Sequence, residues 1–265
     1  MTLPTYFVSH GGGPWPWMKD QYGPAYDRLE ASLQAMRLEG VRAVLVVTSH
    51  WETPGFMVSS GSAPGMIYDY GGFPPHTYQI SYPAPGEPAL ARRVAQLLTG
   101  AGHPAGLDPE RGFDHGTFSM LYPVYPEAAM PVVQLSLRRD LDPQAHIAAG
   151  RALAPLRDEG VLIVGSGLSY HNLRQFGPSG ATASRAFDGW LQETMALAPS
   201  ARNAALLRWS EAPMARVAHP REEHLLPLMV ASGAAGDEPA ACVYHEDDFF
   251  GSLTVSSFQF GKVGG

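Results

Sequence analysis

Three features of the sequence predict an α/β fold, a single domain over residues 1–265 with a central, mostly parallel or mixed sheet flanked by helices. Short apolar runs rich in β-branched residues recur along the chain, and helical patterns lie between them. The runs are apolar nearly throughout rather than alternating, as strands covered on both faces are. The chain has 265 residues, 45% of them hydrophobic, enough for one large core.

The first strand is TYFVS at 5–9. A helical pattern over about 24–39 leads to the strands RAVLVVTS (42–49) and FMVSS (56–60). The loop MIYDYGGFPPHTYQISYPAPG (66–86) carries four tyrosines, a phenylalanine and four prolines. It reads equally as a packed surface loop and as a wall or lid over an aromatic-accepting pocket. A helix follows at 87–100, then the strand PVVQLSL (131–137), a helix at 143–158 and the strand VLIVGSG (161–167). Helical patterns at 182–198 and 222–232 precede the last strand, LTVSSFQF (253–260). The 29 glycines and 24 prolines punctuate the whole chain instead of forming one linker, which suits ordered loops between core elements.

Composition excludes several classes. The net charge is −7, and the 18 Lys and Arg residues form no run, which argues against a nucleic-acid partner. Cys242 is the sole cysteine, so neither an intrachain disulfide nor a thiolate metal cluster is possible, and a reducing compartment fits. The opening MTLPTYFVSHGGG has no basic segment and no long apolar segment, so it does not read as a signal peptide. No stretch approaches the roughly 18 apolar residues of a membrane span. The expectation is a cytoplasmic protein with a small-molecule partner.

The histidines carry the chemistry. Two strands end in Ser-His, at His10 and His50, and His171 follows the strand 161–167 after a short loop. Ligands of α/β sheets bind beyond the carboxyl ends of the strands, so three segments deliver an imidazole to one edge. Five histidines sit in compact Gly-rich or polar contexts: SHGGGP (His10), SHWE (His50), FDHGTF (His115), SYHNL (His171) and EEHLLPL (His224). Imidazole suits Zn(II) and Fe(II). A non-haem Fe(II) oxygenase site takes two histidines and a carboxylate, whereas a catalytic zinc takes three protein ligands and an open position. The third ligand would come from REEHLLPL. Neighbours on a helix point about 100° apart, so Glu223 and His224 would not both aim at one metal, and spacing leaves the choice between them open. His103 and His146 read as structural or exposed, His76 and His245 more readily so than as pocket residues, and His219 as a cap or packing residue.

Competing chemistries fail on their own requirements. HGGG (10–13) matches the oxyanion motif of esterases, but the Gly-x-Ser-x-Gly elbow it needs is absent, since GLSYH (167–171) ends in histidine. GSGLSY (165–170) ends in Tyr170 and fails as a dinucleotide fingerprint, and there is no Walker A sequence. The glycines after His10 read better as a sharp turn that lets backbone approach a ligand. Trp15 and Trp17 either stack on a planar substrate or pack.

Taken together, SHGGGP, VVTSHWE, YDYGGFPPHTYQISYPAPG, GFDHGTFSML, PVVQLSL, GSGLSYHNLR and EEHLLPLM resemble, in order and over nearly the whole chain, the LigB-like class III extradiol ring-cleaving dioxygenases. Within them the chain is most similar to the DODA type, the 4,5-DOPA extradiol dioxygenase group. The resemblance implies a mononuclear non-haem Fe(II) site, with zinc in some members, and insertion of O2 into a catecholic ring to give a semialdehyde. His10, His50 and His224 match the metal ligands. His171 matches the histidine beside the metal, as a fourth ligand or as the acid/base, and His115 matches a further catalytic pocket histidine. The LigB branch proper has a carboxylate where this chain has His224, and an all-histidine set would also hold zinc well.

On this reading His171 takes the phenol proton, and His171 or His115 later returns one. Asp114 would orient His115 if the backbone turns suitably. Glu223 and Glu52 are candidates to fix an imidazole tautomer, Glu52 less readily. Trp15, Trp51, Tyr68, Tyr70, Phe73 and Tyr82 would form the aromatic wall, and Arg174 is the one candidate clamp for a carboxylate. The alternatives are a zinc hydrolase using the same histidines and a non-catalytic metal or small-molecule binding protein.

Overall fold

The computed structural model describes residues 2–262, in which eight strands form one mixed sheet. In chain order they are β1 (Thr5–Ser9), β2 (Ala43–Thr53), β3 (Phe56–Ser59), β4 (Ala105–Asp108), β5 (Val132–Arg138), β6 (Val161–Gly167), β7 (Ala240–Phe249) and β8 (Leu253–Phe260). Their order across the sheet is β4-β3-β5-β2-β6-β1-β8-β7. β5, β2, β6 and β1 are parallel neighbours at the centre, and β8 runs antiparallel to β1. These central strands are buried nearly throughout, which is why each reads as a continuous apolar run.

Two strands escaped the sequence pattern. β4, AGLD, is four residues long and only half-buried. β7 lies on the sheet edge and exposes much of its length, so its sequence (AACVYHEDDF) mixes charged and apolar residues. The helix His115–Val124 also lies outside the helical patterns. All of it but Tyr122 is buried, so it has no polar stripe to give it helical periodicity. The helix Pro199–Leu207 is a further addition. The expected helix at 24–39 narrows to Asp27–Gln34, and that at 222–232 begins only at Leu226 and ends at Ala234.

Consecutive residues of β6 show how the sheet is covered. A Cβ on Gly165 would meet the Pro227 carbonyl oxygen at 2.4 Å, so this face is pressed against the helix Leu226–Ala234. The next side chain, Ser166, donates its hydroxyl to the Gly116 carbonyl at 2.5 Å, so the other face meets the helix His115–Val124. Neighbouring residues of a strand point to opposite faces, and the two helices therefore sandwich the sheet.

His146 is structural, as one of its two sequence readings had it. It is fully buried, its Nδ1 lies 2.7 Å from the Asp142 carbonyl, and its Nε2 lies 3.2 Å from the Arg138 amide nitrogen. The Arg138 N–H can be received only by an unprotonated Nε2. Burial pulls the imidazole down to about 4, and burial does the same to His219, also to about 4. The unfolded chain takes up these protons near pH 6.5, so between 6.5 and 4 it binds more protons than the fold. The stabilisation is therefore complete above pH 6.5 and is lost as pH falls toward 4, by about 3 kcal/mol for each residue. Urea unfolding at pH 7.5 and 4.5 should show the loss, and His146→Gln should shrink it by about 2–3 kcal/mol. An unchanged pH slope in that variant would refute the account.

Candidate metal centre

The sheet order places β2, β6 and β1 side by side and parallel, so their carboxyl ends share one edge. His10 follows β1 directly, and its backbone N–H donates to the Gly167 carbonyl at 3.0 Å. His50 lies in the last part of β2, where the register against β5 shifts between Val47 and Glu52, an irregularity that re-aims side chains. His171 lies beyond β6, its N–H on the Ala218 carbonyl at 3.0 Å. His115 is the first residue of its helix.

His224 sits in the turn before the helix Leu226–Ala234, not on a helix as the pattern over 222–232 had it. Its carbonyl accepts the Leu168 N–H at 3.1 Å. The approach depends on Gly167, where a Cβ would lie 2.1 Å from that carbonyl oxygen. Off the helix, the 100° argument separating Glu223 from His224 no longer applies. Glu223 Oε1 lies 2.9 Å from Nδ1 of His224 itself.

The fold thus brings all five histidines together. Ring centroids lie 5.0 Å apart for His10 and His50, 5.3 Å for His10 and His224, and 4.9 Å for His50 and His224. Within this triad one ligand nitrogen from each ring falls within 4.8 Å of the others. His171 stacks on His224 at 3.4 Å with an interplanar angle of 19°. His115 lies 4.1 Å from His50.

Two carboxylates brace these rings from outside. Glu223 Oε1 lies 3.1 Å from His171 Nδ1 as well as against His224, and Glu223 Oε2 faces Arg221 at 3.5 Å. Asp69, absent from the candidates the sequence offered, lies 3.1 Å from His50 Nδ1 and 2.9 Å from His115 Nδ1. One signal could have found it: Asp69 is the sole acidic residue of the aromatic loop 66–86. Asp114 does not orient His115. It is wholly buried as the helix N-cap, accepting the Thr117 N–H at 3.0 Å, the Thr48 hydroxyl at 2.9 Å and Arg111 at 2.7 Å. Glu52 pairs with Arg221, taking its Nη2 on Oε2 at 2.5 Å.

Burial, followed by the neighbouring imidazoles, holds His10 and His224 well below the ordinary imidazole range. Burial and then His50 lower His115, against the pull of Asp69. Burial alone would raise Asp69, but its hydrogen bonds from His115 and His50 outweigh this and hold the carboxyl far below its usual range. At neutral pH His10, His115 and His224 are therefore neutral, with the ionised Asp69 carboxylate behind them.

A divalent cation fits this donor set. Carboxylates only accept, so Asp69 and Glu223 put the protons of His50 and His224 on Nδ1 and leave Nε2 as a lone pair. His50 Nε2 and His10 Nε2 stand 3.3 Å apart. Bonds of about 2.1 Å to one tetrahedral ion space its nitrogens by about 3.4 Å.

The histidines open into a cavity of about 500 Å³. Tyr70 and Phe73 line it, as the aromatic wall required. Phe73 seats on Gly13, whose φ is +53° and whose added Cβ would lie 2.7 Å from the ring. A Cβ on Gly11 would likewise lie 2.5 Å from Trp15 Nε1, so the triple glycine supplies room for aromatic rings to pack. The other wall candidates lie elsewhere. Trp15 is buried with its indole N–H on the His10 carbonyl at 2.8 Å, and Trp51 is buried under Arg111. Tyr82 donates to the Tyr125 carbonyl at 3.0 Å and Tyr68 to the Ile80 carbonyl at 2.7 Å. Their place is taken by Leu173, from the SYHNL motif, and by Tyr22, Tyr26, Phe176, Phe249 and Phe250, from segments with no motif. Arg174 lines a neighbouring groove with Arg216 and Arg221, which meets the cavity at His171 and Leu173.

A family model described as the catalytic LigB subunit of aromatic ring-opening dioxygenase matches residues 4–257. A 4,5-DOPA dioxygenase extradiol of Beta vulgaris is 40% identical over 261 residues, covering 97% of this chain and 96% of that protein. The 4,5-DOPA dioxygenase extradiol of Escherichia coli strain K12 is 35% identical over 265 residues, covering 98% and 95%. The crystal structure of an uncharacterized protein from Escherichia coli K12 superposes with a TM-score of 0.76 at 32% identity, covering 98% of this chain and 100% of that one.

Proposed function

Because this chain belongs to the LigB family of aromatic ring-opening dioxygenases, and is a metal-dependent extradiol enzyme that cleaves a catecholic ring with O2, we propose that His10, His50 and His224 hold its metal, that the metal is Fe(II), and that His171 and His115 are its catalytic residues. The convergence of three imidazole nitrogens within 4.8 Å at the carboxyl edge of the sheet carries the ligand assignment. Zn(II) would fill the same nitrogens, but it has no redox chemistry with which to use O2.

When bound, the metal acidifies the catechol hydroxyls and brings the ring and dioxygen together. The remaining work falls to side chains. His171, with Nδ1 on Glu223, presents Nε2 as the acceptor for a phenol proton. His115, with Nδ1 on Asp69, presents a second neutral Nε2 at the cavity wall and, once protonated, can return a proton to an oxygen of the opening ring. Tyr70 and Phe73 orient the planar ring, and the apolar wall of Leu173, Phe176, Phe249 and Phe250 excludes water around the substituent. The substrate is a catechol, with DOPA as the first compound to test because relatives bear its name. A zinc hydrolase and a non-catalytic binding protein have no comparison in their favour. No helix among the described residues is long and apolar enough to cross a membrane.

The test is anaerobic loading with Fe(II), addition of a catechol panel, then air. The expected outcome is a yellow ring-fission product with one O2 consumed per ring opened, and no turnover with Zn(II). Absence of colour and O2 uptake across the panel would defeat the proposal.

A further inference from the structure

We infer that Asp69 is a positioning residue that sets the tautomer and aim of two imidazoles at once, the metal ligand His50 and the pocket histidine His115; this rests on the ligand assignment proposed above. Both oxygens of Asp69 are engaged. Oδ2 lies 3.1 Å from His50 Nδ1, and Oδ1 lies 2.9 Å from His115 Nδ1. Oδ1 also accepts the His115 backbone N–H at 3.0 Å. That N–H belongs to the first turn of the helix His115–Val124, where the helix supplies no acceptor. The positive end of the helix and two imidazole N–H groups thus converge on one carboxylate.

The consequence is chemical. An ionised carboxylate cannot donate, so both imidazoles must carry their proton on Nδ1 and turn a bare Nε2 away from Asp69. Rotating either ring breaks its bond to Asp69, and the two rings are held 4.1 Å apart. One anion therefore fixes both the electron pair that meets the metal and the electron pair that meets a substrate proton.

Glu223 makes the complementary pair on the other side, bracing His224 and His171. The two carboxylates differ in support. Glu223 also faces Arg221, whereas the ion pairs of Asp69 are to His50 and His115 alone among the described residues. Asp69 also belongs to the aromatic loop, next to Tyr70 on the cavity wall. Its three contacts with His50 and His115 pin that loop to the metal centre, so wall, ligand and proton acceptor are set by the same carboxylate.

The decisive variant is Asp69→Asn. It keeps the volume, but its NH2 group would face an Nδ1–H, so one imidazole must move its proton to Nε2. Zn(II) and Fe(II) affinities, measured by chelator competition, are expected to fall about 10–100-fold. Long-range 15N histidine spectra of the Zn(II)-loaded protein should show His50 and His115 both protonated at Nδ1 in the wild type and one of them at Nε2 in the variant. At saturating Fe(II), kcat should fall while KM for the catechol stays within about threefold, and Asp69→Glu should recover part of the metal affinity. Wild-type affinity and wild-type tautomers in Asp69→Asn would overturn the inference. So would a loss confined to Asp69→Ala, since loop packing would then suffice. The affinity and NMR readings stand even if no catechol is cleaved, so a failure of the ring-cleavage proposal is separable from a failure of this one.

Discussion

His224→Ala is expected to leave the protein without stoichiometric metal and to lower ring cleavage by about a thousandfold or more, since metal catalysis contributes several kcal/mol at about 1.4 kcal/mol per tenfold. His224 is 4% exposed, its Nδ1 is held by Glu223, and its Nε2 is left toward His10 and His50. Removing the ring takes away one of the three proposed donors and leaves a gap where water alone can fill the coordination position. His10→Ala and His50→Ala should behave alike, because each supplies one of the converging nitrogens. Metal content by elemental analysis after gel filtration, alongside O2 uptake with added Fe(II), measures both halves. A variant that keeps one metal per chain removes that histidine from the ligand set.

His171→Gln should do something different: keep its metal and lose turnover by about 10²–10⁴-fold, the usual worth of a positioned acid/base. His171 lies outside the converging triad and stacks against its third member. Glutamine retains much of the bulk over His224 but cannot exchange a proton near neutral pH. The discriminating measurement is kcat at saturating Fe(II) together with the metal dissociation constant. Equal loss of metal and turnover would make His171 a fourth ligand. Retention of both would leave His115 as the working acid/base, and His115→Gln would then carry the loss.

The pattern of the centre was legible in the sequence where it followed from strands. β1 and β2 are buried on both faces and read as apolar runs, so the histidines that follow those runs are placed at one edge of the sheet. His115 and His224 were found by motif and resemblance, and the fold carries them to the same point. The supporting groups were not legible. Asp114 stands beside His115 in the chain yet turns away to cap the helix, and Asp69, 46 residues earlier, takes the place expected of it. Glu223 and His224 were separated by a helical angle that does not exist, because the helix starts two residues after His224.

The cavity wall shows the same division. The loop 66–86 was aromatic enough to be read as a wall, but composition did not distinguish Tyr70 and Phe73, which face the cavity, from Tyr68 and Tyr82, whose hydroxyls bond backbone elsewhere. By itself the sequence determined the α/β class and the edge of the sheet that holds the site, because burial on both faces and chain order leave a local trace, and its motifs named the five imidazoles gathered there. Only the tertiary structure decided which carboxylate braces which histidine and which aromatic rings line the cavity. Those choices depend on where irregular loops come to rest, through a few hydrogen bonds between segments far apart in the chain, and such contacts have no period to read.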